Sequence, residues 1–287
     1  MYFFGFLAWI ISFPLLAMTH ISSQIYDIDL AKTDQDVTLV LLNTGQVAKI
    51  PARKSELLDR LFVGKSKEHF YNFTLDKERF IIKVEISEKP PLPKIILNTD
   101  FNQNQTYLPT TIASMDLAKK YFKEARYNPK DSQCFNRAMV WTYEWWRKHS
   151  LKSNKLLIYF TRNYIRRYNF EWWFHISPYV HVMDQGVVVE RVMDVKYGRG
   201  PMEFRKWTNL FMNKDPECPV ITKFSDYADY PYSGECYIQR THMYTYQPAD
   251  LQMYEAWNYV KDKYLIPEVT QAYLEAFDEH VSILGGD

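Results

Sequence analysis

Residues 131–139 read Asp-Ser-Gln-Cys-Phe-Asn-Arg-Ala-Met, and they place one cysteine, Cys134, where a helix is expected to begin. Asp131 or Ser132 can cap the first turn, because a short side-chain oxygen accepts a hydrogen bond from a backbone N–H there. Cys134 then lies at the second or third helical position. The positive end of the helix dipole favours a thiolate at this place, which makes Cys134 a candidate nucleophile. The alternative is a buried cysteine that serves only as a small hydrophobic residue.

The predicted helix runs to about residue 149, because apolar residues recur at helical spacing beyond Cys134. A helix followed by antiparallel strands indicates an α+β domain with the nucleophile helix packed on an antiparallel sheet. The other predicted elements are a helix over 115–126, a strand over 156–160, two hairpin strands over 170–183 and 187–195, and closing helices over about 249–264 and 267–281.

Two residues of the predicted hairpin can complete a site with Cys134. With a two- or four-residue loop, residue 183 pairs with 186, which puts His175 directly opposite Asp194 on one face. A three-residue loop instead sends the two side chains to opposite faces. An imidazole beside a thiol accepts its proton, and a carboxylate on the far ring nitrogen stabilises the cation, so this set can activate sulfur for attack on an amide carbonyl. His181 lies on the same strand face and is a competing base.

The overall composition is that of an ordinary globular protein, with 47% hydrophobic and 24% charged residues among 287. A formal net charge of +1 gives no electrostatic reason to expect a nucleic-acid partner. Arg162, Arg166 and Arg167 alternate with Tyr164 and Tyr168, a pattern that can bind single-stranded nucleic acid. Three arginines in a loop are more often solvated or ion-paired, so we expect no nucleic-acid partner.

The N-terminus carries an uncharged apolar run over residues 2–18. Its length is that of the hydrophobic region of an export signal rather than of a membrane span. We predict a signal peptide over 1–23 and a secreted or periplasmic protein with no stable membrane association after cleavage; an uncleaved anchor is the alternative. Cys218 and Cys236 flank a polar loop and can form a disulfide after export. Cys134 then stays unpaired, which favours a working thiol.

Residues 24–110 read as a strand-rich N-terminal segment. Alternating sequences predict one hairpin about Asn43-Thr44-Gly45 and another about Asp76-Lys77, with a short helix over 55–62 between them. The proline-rich run at 89–93 is a predicted linker. The remaining residues, 111–287, then form the domain that carries the candidate site.

Three short blocks resemble, in order and in spacing, the bacterial protein-glutaminases, which are protein-glutamine deamidases with a transglutaminase/papain-like core. The blocks are Cys-Phe-Asn-Arg-Ala at 134–138, Trp-Phe-His-Ile-Ser-Pro at 173–178 and Val-Met-Asp at 192–194. His175 follows Cys134 by 41 residues and Asp194 follows His175 by 19, and both spacings resemble those of that family. Trp207 and the run Tyr-Thr-Tyr-Gln-Pro at 244–248 fall where its later blocks are expected, so the similarity covers about 111–250.

The resemblance implies a catalytic triad in which Cys134 is the nucleophile, His175 the base and Asp194 the orienting acid, with neither a metal nor an organic cofactor. The substrate implied is an exposed glutamine side chain in a protein or peptide, which is converted to glutamate and ammonia through a thioester. Family members are exported with a prosegment over the active site, so 24–110 is expected to be either such a segment or a permanent domain.

Gln133, Trp172 and Trp173 flank the nucleophile and the base, and we predict that they contact the substrate. Two alternatives stay open. A transglutaminase or a cysteine peptidase uses the same thioester, and a secreted binding module without catalysis would use the aromatic surface alone.

Overall fold

The computed structural model describes residues 18–33, 36–51, 55–66, 69–87, 109–125, 133–213, 215–243, 245–249 and 251–252. The predicted linker at 89–93 lies outside these residues, as do nearly all of the apolar N-terminal run and of the two closing helices. The chain forms two compact units. The first comprises Met1–Val40 and Ala48–Glu88, and the second comprises Leu41–Val47 and Lys89–Asp287.

The first unit is rich in strands, as the sequence predicts. Its elements are β1 (Thr19–Ser23), β2 (Ile25–Asp29), β3 (Val37–Leu42), β4 (Val47–Pro51), α1 (Ser55–Ser66), β5 (Tyr71–Leu75) and β6 (Ile81–Ile86). The strands form two sheets, ordered β1-β5-β6 and β2-β3-β4. Helix α1 extends four residues beyond the predicted end at 62. Strand β1 pairs with β5 but falls inside the predicted signal peptide, so cleavage after residue 23 would remove this strand.

The second unit contains one six-stranded sheet with helices. Its elements are β7 (Thr111–Ile112), α2 (Met115–Glu124), α3 (Cys134–His149), β8 (Asn154–Phe160), α4 (Arg162–Tyr168), β9 (Phe174–Asp184), β10 (Val187–Val192), α5 (Phe204–Thr208), β11 (Val220–Ile221), α6 (Ser225–Ala228) and β12 (Cys236–His242). The strand order is β10-β9-β8-β12-β11, and β7 pairs beside β9. The pairs among β10, β9, β8 and β12 are antiparallel, which confirms the α+β class. No helix of the described residues is long and apolar enough to cross a membrane.

Helix α3 packs its apolar face on the sheet. Ala138, Trp141 and Trp145 are each at most 1% exposed, and the two tryptophans share one core cluster with Val180 and Val182 of β9. Strand β8 beside β9 is buried along its whole length, as expected for an interior strand. This packing places Cys134, the first residue of α3, next to the start of β9.

The start of α3 differs from the prediction by one or two positions. Gln133 is the N-cap and its side chain makes no capping hydrogen bond, so Cys134 is the first helical residue rather than the second or third. Asp131 and Ser132, the predicted caps, lie outside the described residues. The N–H groups of the first turn of α3 are therefore not capped by the side chain of the residue that precedes them.

The three arginines predicted in a loop lie in helix α4 instead. Thr161 caps this helix, since its hydroxyl accepts a hydrogen bond from the backbone N–H of Tyr164. The buried Arg162 donates to the Tyr227 hydroxyl, and Arg167 pairs with Glu235. These contacts favour structural roles for the basic side chains of α4.

The hairpin of β9 and β10 turns through Gln185 and Gly186, which both have positive φ, at 50° and 85°. Two such residues define the tight turn that suits antiparallel strands. The turn lies one position later than predicted, so 184 pairs with 187 and His175 has no direct partner at Asp194 in the ladder. The slip of the register is an even number of residues, so it preserves which face each side chain occupies.

Cys218 and Cys236 form the predicted disulfide, with 4.9 Å between their Cα atoms. Cys236 begins β12, which lies between β8 and β11 in the sheet. The bridge therefore ties the polar loop that precedes β12 to an interior strand.

Candidate active site

Helix α3 and strand β9 bring Cys134 and His175 together. His175 is the second residue of β9, opposite Ile158 of β8, and only 2% of its surface is exposed. Cys134, the first residue of α3, is half-buried. The thiol and the imidazole are hydrogen-bonded, and the backbone N–H of Ile176 donates to the sulfur. The predicted nucleophile and base are therefore in direct contact.

Asp194 completes a line of three groups. The imidazole Nε2 of His175 donates to Oδ2 of Asp194 at 2.7 Å, and Asp194 is 1% exposed. Because Nε2 is used in this way, Nδ1 is the nitrogen that faces the thiol. Asp194 is not opposite His175 in the ladder. Met193 N–H donates to the Pro178 carbonyl, which continues the register of β10 and β9 by one residue. Asp194 is therefore a diagonal neighbour of His175 on the same face, and it reaches the ring from there.

The charges of the three groups support one another. Burial alone would raise the pKa of the Cys134 thiol. The hydrogen bond and charge of His175, together with the charge of Arg137 and the backbone N–H of Ile176, outweigh burial and lower that pKa. Burial would lower the pKa of His175, yet the Asp194 carboxylate raises it above its ordinary value. Burial likewise opposes ionisation of Asp194, whose pKa is nonetheless lowered, chiefly by His175. The arrangement therefore favours a thiolate, an imidazolium and a carboxylate.

Two further residues act on these charges, and the sequence did not assign them a role. Arg137, which is 3% exposed, helps to lower the pKa of Cys134 and of Asp194. It stands three residues after Cys134 on the same helix face, a spacing that could have revealed it. The indole N–H of Trp207, in α5, donates to Oδ2 of Asp194 at 2.9 Å. Only the family resemblance drew attention to Trp207.

The imidazole of His175 is packed among aromatic rings on several sides. Trp172 stacks on it at 5.9 Å between ring centroids and 22° between planes. The other rings lie at 4.6 Å (Phe211), 5.3 Å (Tyr197) and 5.7 Å (Trp207). Burial raises the pKa of the Tyr197 phenol, so this neighbour remains neutral. These rings exclude water from the imidazole and hold its orientation.

The three residues predicted to contact substrate differ in position. Gln133 is the N-cap next to Cys134, and Trp172 lies half-buried against His175. Trp173 is 1% exposed, and its indole N–H donates to the carbonyl of Leu42 at 2.8 Å, so its ring is part of the core. The substrate roles of all three stay predictions.

The competing histidine lies elsewhere on β9. His181 is six residues beyond His175, which corresponds to roughly 20 Å along a strand. It is opposite Glu190 of β10 and Thr111 of β7. His181 is therefore remote from the thiol.

A turn from the N-terminal part of the chain also reaches this region. Residues 41–47, which join β3 to β4, group with the second unit, and we call them the hairpin tip. Trp173 N–H donates to the Gly45 carbonyl and Val47 N–H to the Glu171 carbonyl, both at 2.9 Å. Gly45 has φ of +92°, and a Cβ there would lie 3.1 Å from the ring of Phe174. This close approach requires glycine.

Comparison with known proteins finds a family model that matches part of the chain. Residues 110–211 match a family model described as Glutaminase, and no curated protein matches. A crystal structure of pro-protein-glutaminase is similar at 15% identity and a TM-score of 0.48, over 80% of this chain and 84% of that one. The crystal structure of a mutant of pro-protein-glutaminase is similar at 17% identity and a TM-score of 0.49, over 80% of this chain and 85% of that one. The NMR structure of protein-glutaminase from Chryseobacterium proteolyticum is similar at 14% identity and a TM-score of 0.34, over 48% of this chain and 77% of that one.

The family model covers the segment that contains Cys134, His175, Asp194 and Trp207. This match confirms the resemblance seen in the sequence and the prediction of an enzyme of the glutaminase class. Residues 110–211 of this chain are therefore similar to the glutaminase family.

Proposed function

We propose that this protein is a cysteine amidohydrolase that deamidates glutamine side chains of proteins or peptides. The observation that carries the proposal is the hydrogen-bonded series of Cys134, His175 and Asp194 inside the glutaminase-family segment. A thiolate held next to an imidazolium is the usual form of an activated sulfur nucleophile. The lowered pKa of Cys134 and the raised pKa of His175 support this role.

In the first half of the reaction, the Cys134 thiolate attacks the side-chain carbonyl carbon of a glutamine. The C–N bond then breaks, and the His175 imidazolium gives its proton to the departing nitrogen, which leaves as ammonia. The acyl group remains on sulfur as a thioester. Asp194 does not take up the proton in this step; it stabilises the charged imidazole and fixes its ring.

In the second half, water attacks the thioester while neutral His175 accepts a proton from it. The C–S bond breaks, the thiolate is restored, and the substrate leaves with a carboxylate in place of its amide. The negative oxygen that forms in both halves needs backbone donors. The backbone N–H of Cys134 is one such donor, because it begins α3 and the side chain of Gln133 does not cap that helix.

We propose that Gln133 and Trp172 bind the glutamine side chain. Gln133 is the residue before the nucleophile, and its Oε1 already accepts a hydrogen bond from a glutamine amide, that of Gln46, at 2.9 Å. Trp172 presents an indole beside the base. An amide acceptor and a flat apolar ring match the two parts of a glutamine side chain, its NH2 group and its methylenes.

We also propose that the hairpin tip covers the approach to the nucleophile. Its backbone pairs with residues 171–173, just before His175, and its Gln46 side chain bonds the residue before Cys134. The hairpin tip lies within the predicted prosegment or domain over 24–110, and it is the part of that segment that groups with the second unit. Removing the Gln46 side chain is then expected to make the site more accessible.

Export is the last part of the proposal. The Cys218–Cys236 bridge supports an oxidising compartment, because disulfides are rare where thiols are kept reduced. The apolar run at 2–18 is the matching export signal in the sequence. Recovery of the chain from the culture medium or periplasm, with its new N-terminus sequenced, tests this part directly.

The function is tested by ammonia release from a glutamine-containing protein such as casein. We expect Cys134→Ala to lower the rate by roughly 10⁴-fold, because no other group forms the thioester. Gln46→Gly should release ammonia faster than the wild type, since the tip no longer fills the site. His181→Asn, which changes a histidine remote from the thiol, is the matched control and should keep the wild-type rate.

Mass spectrometry of the casein products separates the alternatives. Hydrolysis converts glutamine to glutamate, whereas a transglutaminase in the presence of an added primary amine attaches that amine, and a peptidase produces shorter fragments. Equal ammonia release from Cys134→Ala and from the unmodified and Gln46→Gly proteins would overturn the proposed enzyme and favour a binding module.

The pKa shifts predict how the thiol reacts with iodoacetamide. In the wild type, Cys134 should be alkylated quickly at pH 6, because its pKa is lowered and the thiolate persists below the ordinary range of thiols. In His175→Asn the stabilising charge is lost while burial remains, so the pKa rises and alkylation at pH 6 should slow by about tenfold or more. Measured rates from pH 5 to 10 that coincide for the two proteins would contradict this account.

Trp207 is expected to act as a positioning residue through Asp194. In Trp207→Phe the carboxylate loses an indole donor, so we expect kcat to fall roughly tenfold while KM is unchanged. The pKa of Asp194 should rise, which moves the acidic limb of the kcat profile toward neutral pH. Trp145→Phe is the matched control, because it removes an equally buried indole whose N–H donates to the Tyr121 carbonyl. An unchanged acidic limb in Trp207→Phe would show that Trp207 only fills space.

A further inference from the structure

Gln46 of the hairpin tip places a glutamine amide beside the candidate nucleophile. Its Nε2 donates to Oε1 of Gln133 at 2.9 Å, and Gln133 directly precedes Cys134 in the chain. The two residues are 87 positions apart in the chain, so this contact is a product of the fold. The chain thus supplies its own copy of the group on which the proposed reaction acts.

The backbone pairing directs the Gln46 side chain toward the base. Gln46 forms an antiparallel bridge with Trp172, and opposite residues of such a bridge project to the same side. The Trp172 ring on that side stacks on His175. The flanking bonds from Trp173 to Gly45 and from Val47 to Glu171 fix this register. The Gln46 amide is therefore held between the residue before Cys134 and the ring next to His175.

The carbonyl oxygen of this amide is the atom that lacks a protein partner. Oε1 of Gln46 is buried, and no hydrogen bond reaches it from the described residues. A buried acceptor in this condition costs about 1–3 kcal/mol, so folds rarely keep one without a use. In acyl transfer the donors are placed where the oxyanion forms rather than at the carbonyl oxygen of the substrate, so an amide with an anchored nitrogen and an unengaged oxygen is consistent with a bound substrate.

We propose that Gln46 is an intramolecular substrate of Cys134 and that the protein deamidates it to glutamate. This proposal rests on the proposed function. The Cys134 thiolate attacks Cδ of Gln46, the C–N bond breaks, and ammonia leaves with the proton of His175. Water then cleaves the thioester between residues 134 and 46, which restores the thiolate. One water is consumed, one ammonia is released, and nothing is oxidised or reduced.

The geometry makes this reaction one within a single molecule. Gln46 is half-buried, and the residues on either side of it, Gly45 and Val47, are hydrogen-bonded to the segment before β9, so the active site of another molecule does not reach its amide. Gln185, by contrast, is exposed in the β9–β10 turn and is open to attack by other molecules. The two glutamines therefore distinguish reaction within the chain from reaction between chains.

Conversion of Gln46 also changes the contact that holds it. The amide donates to Oε1 of Gln133, but a carboxylate is an acceptor only, so the original hydrogen bond is lost and Gln133 can bond the new group only by turning its own NH2 toward it. The new negative charge also lies near the thiolate of Cys134 and repels it. Each molecule would therefore react at Gln46 once, and its hairpin tip would afterwards be held less tightly.

The test is mass spectrometry of the tryptic peptide that ends at Lys49 and contains Gln46. The full-length wild type should carry glutamate at position 46 in nearly every molecule, while Cys134→Ala should retain glutamine. In a mixture of active wild type with isotope-labelled Cys134→Ala, the labelled chain should keep Gln46 even where its exposed Gln185 is converted. Glutamine at position 46 of the wild type, or conversion of Gln46 in the labelled chain at the rate seen for Gln185, would overturn the proposal.

The variant Gln46→Gly separates this proposal from the proposed function. If Gln46→Gly releases ammonia from casein while the wild type retains Gln46, the enzyme stands and the intramolecular substrate is wrong. If Gln46→Gly is inactive on casein and the wild type also retains Gln46, the proposed function itself fails. In the variant Gln46→Asn, the side chain at position 46 should remain an amide. It is one methylene shorter, so its carbonyl carbon lies farther from the sulfur of Cys134.

Discussion

The buried hydrogen bond from His175 to Asp194 is the interaction on which the rest of the site depends. Both residues are almost fully removed from water, at 2% and 1% exposure, so their charges are stable only as a pair with further support. Trp207 supplies a second donor to the carboxylate, and Arg137 supplies a positive charge nearby. Without this set, burial would return the imidazole to its neutral form, and the thiol of Cys134 would lose the charge that lowers its pKa.

The beginning of α3 does two things at once. It sets Cys134 against His175, and it leaves backbone N–H groups of the first turn uncapped by the side chain of Gln133. Helix ends of this kind attract negative charge, which is what a thiolate and an oxyanion both carry. The same Gln133 then accepts a hydrogen bond from Gln46, so the residue that fails to cap the helix instead holds an amide beside it.

Local sequence patterns predicted the elements of the second unit better than their contacts. The α3 helix, the interior strand β8 and the β9–β10 hairpin follow from periodicity and turn residues. The register was wrong because Asp184-Gln185-Gly186 marks a turn without saying which two residues need positive φ. Cys134, His175 and Asp194 nonetheless converge, because the error in register is two residues and leaves the side chains of His175 and Asp194 on the same face. The contacts of Trp207 and of the hairpin tip connect distant parts of the sequence, and no short pattern encodes them.

The packing of aromatic rings about His175 has a consequence for the order of events. Trp172 stacks on the imidazole, and three further aromatic rings surround it, those of Phe211, Tyr197 and Trp207. These contacts hold the imidazole in one orientation. In the proposed reaction, one nitrogen of the ring would therefore give a proton to the departing ammonia and later accept one from the incoming water, at the same position in the site. Under that proposal ammonia leaves before water enters, and a small amine bound at the same position would compete with water for the acyl group.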